Sequence, residues 1–97
     1  MSFVRHYVMT TTPDQAEALA RVLAELRTVV SECEGSLRID LLAVDSEPHR
    51  FFFIEHWASR DDHAAAGSQL PADLMKSLKG LLAAAPEAHD LTEPHIG

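Results

Sequence analysis

Two pairs of residues, each spaced by two positions, hold most of the chemical possibilities of this chain: Glu55 with Trp57 in the aromatic run from Arg50 to Ala58, and Arg5 with Tyr7 near the N-terminus. In extended backbone, side chains two apart share a face. Glu55 and Trp57 therefore stand beside Phe51 and Phe53, and Arg5 and Tyr7 stand beside Met9. A carboxylate on a core face must be paired, hydrated or protonated. The plainer expectation for Glu55 is a bond to a helix N-terminus or an arginine; the sharper one is a polar anchor or proton acceptor in a pocket. A phenol and a guanidinium beside an apolar cavity can orient a phenolate or carboxylate substrate. Equally, Tyr7 can be core with its hydroxyl at the rim, and Trp57 can be packing alone.

Other chemistries find little support. The six histidines, His6, His49, His56, His63, His89 and His95, form no His-x-x-x-His or similar ligand pair, so no metal site is expected. They read as exposed or interfacial. Cys33 has no basic cluster beside it to lower its pKa and reads as a small buried hydrophobe. Ser36, Ser59, Ser68 and Ser77 lack a Gly-x-Ser-x-Gly elbow, and no glycine-rich loop is present to cradle a nucleotide.

The elements that must position these residues follow from local pattern. Phe3 to Thr11 is aromatic and β-branched, a first strand. Thr12-Pro13-Asp14-Gln15 has the form of a capping box with proline at the first helical position. A long amphipathic helix follows, with Leu19, Leu23, Leu26 and Val30 on one stripe, and Gly35 ends it. Ser36 to Asp45 reads as a second strand, Ser46 to His49 as a turn, and Arg50 to Ala58 as a third strand that completes a hairpin. Ser59 caps a short helix from His63 to Ala66, with Asp61 and Asp62 in its first turn. Gly67 and Pro71 break it, and a helical pattern resumes through Leu74, Leu78, Leu81 and Leu82 as far as Ala85, where Pro86 stops it. Glu87 to Ile96 is a weak edge strand. The predicted order, β-α-β-β-α-β, is the ferredoxin-like α+β plan with an antiparallel sheet.

With 97 residues the chain is read as a single domain over 1–97. A formal charge of -7 argues against nucleic acid or an anionic membrane as partner. One cysteine excludes an internal disulfide, and no signal or membrane-spanning run is evident, so the expected location is cytoplasmic. The sheet has a further requirement. Phe52, Ile54, His56 and Ala58 occupy the face opposite Glu55 and Trp57. Leaving Phe52 and Ile54 in water forgoes roughly 1.5 to 3 kcal/mol each, and the same face of a second copy would cover them, which predicts a homodimer.

The stretch Phe51-Phe52-Phe53-Ile54-Glu55-His56-Trp57-Ala58-Ser59 resembles the antibiotic biosynthesis monooxygenase family, whose members carry an aromatic strand ending Glu-x-Trp-x-Ser before the second helix. Thr12-Pro13, Glu34-Gly35-Ser36-Leu37-Arg38 and Pro86-Glu87 extend the resemblance along nearly the whole chain. It implies a ferredoxin-like subunit that dimerises into an α+β barrel. It also implies a cofactor-independent oxygenase of small phenols or quinols, with Trp57 lining the pocket; on that reading Trp57 is expected to stack on substrate, Arg5 and Tyr7 to stabilise a phenolate, His63, which does not match a family motif, to serve as a base, and Glu55 and Phe53 to complete the binding surface. Such chemistry needs no cofactor, since the deprotonated substrate itself supplies electrons to oxygen. Two positions depart from the family pattern: Arg5 stands where haem-degrading members place asparagine, and Ala66 or Gly67 where many relatives have histidine. The departures argue against haem degradation and keep open an isomerase or a non-catalytic ligand-binding dimer of the same fold.

Overall fold

The computed structural model describes residues 2–94; His95 and Ile96, which figured among the histidines and the last strand, lie outside them. The observed order is β1 (Phe3–Thr10), a 3-10 turn at Pro13–Gln15, α1 (Ala16–Ser31), β2 (Ser36–Val44), β3 (Glu47–Trp57), α2 (Arg60–Ala66), a second 3-10 turn (Gly67–Gln69), α3 (Ala72–Leu81) and β4 (Glu87–Leu91). The four strands form one sheet in the order β2-β3-β1-β4, with every neighbouring pair antiparallel. This is the ferredoxin-like α+β arrangement, with the helices on one face.

The period-two pattern divides the strands between the two faces as the sequence predicts. Phe3, Met9, Phe51, Phe53 and Trp57 are buried, and they join Leu19, Leu23, Leu26 and Val30 of α1 and Leu74 and Leu78 of α3 in one core cluster. The opposite face carries Val4, His6, Phe52 and Ile54, partly buried by their neighbours, and Leu42, 54% exposed.

Three expectations are corrected. Ser46 to His49 is not a four-residue turn: Glu47 to His49 already belong to β3, and the His49 carbonyl accepts the Thr11 N–H at 3.0 Å. Pro48 is tolerated there because β1 pairs with β3 only from Arg50 onward, so no ladder donor is required of it on that side. The Thr12 side chain makes no cap bond; the chain enters α1 through a 3-10 turn in which the Gln15 N–H donates to the Thr12 carbonyl at 2.9 Å. The last helix ends at Leu81 rather than Ala85. There the Thr11 hydroxyl donates to the Leu81 carbonyl and the Ala83 N–H to the Thr10 carbonyl, which tie the chain back to the end of β1 before Pro86 is reached.

Gly35 governs how α2 meets the sheet. Its φ of 83° lies in the left-handed region, its carbonyl accepts the Ala58 N–H at 2.8 Å, and an added Cβ would sit 2.3 Å from Cγ of Asp62. Asp62 belongs to the cap of α2, where its N–H donates to Ser59 Oγ at 3.1 Å and its carboxylate accepts from the same hydroxyl at 2.9 Å. A Gly35→Ala variant should therefore lose about 1 to 3 kcal/mol in urea unfolding. A loss below about 0.5 kcal/mol would show that neither the dihedral nor the close approach constrains the fold.

Candidate active site

Register alone brings the predicted residues together. On the helix side of the sheet Tyr7 lies opposite Phe53, Arg5 opposite Glu55 and Phe3 opposite Trp57. The Ser59 cap starts α2 directly after β3, and this short connection folds His63 back over the strand ends. Its ring centroid is 5.4 Å from that of Phe3 and 5.7 Å from that of Trp57. Arg5, Tyr7, Phe53, Glu55, Trp57 and His63 thus form one neighbourhood.

Its polar atoms form a chain. The Trp57 indole N–H donates to Glu55 Oε1 at 3.1 Å. His63 Nε2 lies 3.7 Å from the same oxygen and 3.4 Å from the Tyr7 hydroxyl. Glu55 is buried, yet its bonded partner is neither an arginine nor a helix N-terminus, which corrects the plainer expectation. Arg5 is paired with Glu55 across the strands, but its guanidinium bonds Asp90 instead.

Burial sets the protonation of this chain. Desolvation raises the pKa of Glu55 above the ordinary 4.5, against the opposing effects of the Trp57 N–H and the Arg5 charge. Desolvation also raises the Tyr7 pKa, so the phenol stays protonated and able to donate at neutral pH. The His63 pKa is lowered by desolvation and then by the Arg5 charge, which favours the neutral imidazole, a proton acceptor.

Space remains beside these groups. A cavity of about 250 Å³ is bounded by Tyr7, Glu55, Trp57, His63, Ala66 and Leu70, among others. A second, of about 140 Å³, continues between sheet and helices past Phe53, Met75 and Leu78, and shares Tyr7, Val30, Glu55 and Leu70 with the first. The walls are apolar apart from the Tyr7–His63–Glu55 set, a combination suited to a small, largely apolar molecule fixed by a few polar contacts. Arrangements of three or more His, Cys, Asp or Glu side chains able to hold a metal are absent among the described residues. No helix among them is long and apolar enough to cross a membrane.

Sequence reasoning missed Asp90, Arg60 and the linings from Leu70 and Met75. Asp90 faces Arg5 across β1 and β4, accepts from the Arg5 guanidinium, and accepts from Arg60 at 3.0 Å. The only signal was parity within a short exposed strand, which has meaning once its register on β1 is known.

A family model for antibiotic biosynthesis monooxygenase matches residues 2–69. Among solved structures, a Chloroflexus aurantiacus protein assigned to the same group is 29% identical over 100% of this chain and 96% of its own, with a TM-score of 0.80. A Nitrosomonas europaea protein of that assignment has a TM-score of 0.85 at 19% identity, covering 95% and 89% of the two chains. SnoaB of Streptomyces nogalater, a cofactor-independent oxygenase, has a TM-score of 0.83 at 16% identity, covering 98% and 95%. No curated protein sequence matches the chain significantly.

The buried carboxylate makes stability depend on pH in a definite direction. Because the folded-state pKa of Glu55 is raised, the native state binds more protons than the unfolded state above pH 4.5, and stability falls as pH rises through the folded value. His63 acts in the opposite sense below 6.5. A Glu55→Gln variant removes the first effect alone. Urea unfolding from pH 4 to 8 should show its stability rising relative to wild type with pH; a constant difference would mean that Glu55 titrates as it does in the unfolded chain.

Proposed function

The chain belongs to the antibiotic biosynthesis monooxygenase family, and from that premise we propose that it is a cofactor-independent monooxygenase acting on a small phenol or quinol. The observation that carries this reading is the cavity beside Trp57, apolar except where Tyr7, His63 and Glu55 enter it. A phenol carrying hydrogen opposite its hydroxyl can be oxidised by O₂ to a quinone and water: one oxygen atom replaces that C–H as a carbonyl, the other leaves as water, and all four electrons come from the substrate. No external reductant enters the balance. The protein's part is to take a proton, hold the resulting anion and keep bulk water from the intermediate.

The residues divide that work. Neutral His63, whose Nε2 lies 3.4 Å from the Tyr7 hydroxyl, accepts the substrate proton and returns it when the ring-bound peroxide loses water. Tyr7 donates to the phenolate oxygen, and the nearby Arg5 charge stabilises it; the Arg5 guanidinium lies 5.3 Å from the Tyr7 ring centroid. Trp57, held by its bond to Glu55, offers an aromatic surface to the substrate ring, and Phe53 and Glu55 complete the binding wall.

The assembly that fits this reading is a homodimer joined through the open sheet face, closing two sheets into an α+β barrel. Leu42, 54% exposed, and Leu91 lie on that face with Phe52 and Ile54, and their burial against a second copy favours association by roughly 25 cal/mol per Å² of apolar surface.

Oxygen uptake with a panel of phenols and quinols tests the activity. Wild type should consume one O₂ per quinone formed from a phenol, Trp57→Ala should lose at least about tenfold in kcat/KM, and the acidic limb of the wild-type profile should fall below pH 6.5 and vanish in His63→Gln. Full turnover by Trp57→Ala would sink the assignment. Oxygen silence across the panel, with a saturable thermal shift by one member, would favour a binding protein of this fold. Independently, Leu42→Asp should shift sedimentation from dimer towards monomer; an unchanged mass would reject this interface.

A further inference from the structure

The polar cluster at the edge of the site contains two cations and one anion. Arg5 on β1 and Arg60 at the start of α2 both bond the single carboxylate of Asp90 on β4. Each guanidinium also lies over an aromatic ring: Arg5 is 5.3 Å from the centroid of Tyr7, which lines the cavity, and Arg60 is 4.4 Å from that of Phe3, whose ring packs near His63 of the cavity wall. One carboxylate cannot neutralise two guanidiniums, so the cluster retains a net positive charge in a chain whose formal charge is -7.

The cluster also has unused capacity. A guanidinium has five N–H donors in a fork suited to carboxylates. The Arg5 Nε is buried and has no hydrogen-bond partner among the described residues. Such an atom normally finds a partner in the molecule or in what it binds. The side chains are nonetheless accessible, Arg5 being 28% and Arg60 64% exposed, so an anion from solvent can reach them.

We infer that Arg5 and Arg60, spread by Asp90, form an anion-binding subsite beside the Tyr7–His63 cavity, and that the substrate class is an aromatic carboxylic acid whose ring enters the cavity while its carboxylate stays on the guanidiniums. This deepens the proposed function and rests on it. Asp90 then acts as a competitor for the subsite: it holds both arginines in place in the empty site and is outbid when a carboxylate with an apolar ring arrives.

The experiment compares 3-hydroxybenzoate with its neutral counterpart 3-hydroxybenzyl alcohol, each of which keeps a hydrogen opposite its hydroxyl, using calorimetric titration and Trp57 fluorescence on the protein. Wild type should bind the carboxylate at least about tenfold more tightly, with an advantage that shrinks as salt rises. Arg60→Met keeps an aliphatic stem over Phe3, and should remove most of that advantage while leaving the neutral probe unchanged. Asp90→Asn frees both arginines and should strengthen carboxylate binding, a gain that a merely structural ion cluster would not give. Equal affinity for the two probes, equal weakening of both by Arg60→Met, or weaker carboxylate binding in Asp90→Asn would each overturn the inference. If neutral quinols are oxidised while the carboxylate is ignored, the subsite fails and the oxygenase reading stands; if neither probe binds and no quinol consumes oxygen, both fail.

Discussion

A carboxylate buried on the aromatic side of a sheet is the constraint around which this molecule is arranged. Glu55 occupies a position where alternation demands an apolar side chain, and removing an ionised group from water without compensation costs several kcal/mol. The compensation is local: the Trp57 indole two residues on bonds it, and His63 approaches from α2. The bond orients the Trp57 ring, and a cavity lies beside the three residues. Phe53 and Leu23, wholly buried, and the rest of the core cluster supply the packed surroundings that hold this buried carboxylate in place.

The two sides of β3 show how one strand can serve two purposes. Odd-numbered Phe51, Phe53, Glu55 and Trp57 face the helices and carry the polar chain; even-numbered Phe52 and Ile54 face outward beside β1 residues Val8 and His6. A one-residue slip would exchange these sets and destroy both the core and the cavity. The register shifts between Ser36 and Arg38 and between Ala43 and Val44 in the β2 pairing lie towards the two ends of the ladder, away from the central pairs that align the site.

Much of this was legible before any coordinates. The element order, the two faces of β3, the Ser59 cap and the left-handed Gly35 follow from rules of period and local sterics, and the same alternation rule put Arg5 and Tyr7 on one face of β1; that this face is the one shared with Trp57 needed the register of β1 on β3. What could not be read were partners chosen by distance rather than by parity. Asp90 belongs to a strand whose five residues are all exposed, so it lacks the hydrophobic signature that makes strands visible. Glu55 bonds the neighbouring indole, while the arginine opposite it bonds Asp90. Helix ends were misjudged where tertiary bonds replaced the expected signals, as when Thr11 captured the carbonyl of Leu81.

The exposed strand β4 has one more implication. An edge strand of five residues with no buried side chain is the sort of element that detaches at little free-energy cost, well below that of unfolding the whole domain. Asp90 leaves with it, while Arg5 and Arg60 remain on β1 and α2. The electrostatic character of the cavity's border is thus coupled to the pairing of a sheet edge, because the carboxylate shared by the two guanidiniums is carried on β4.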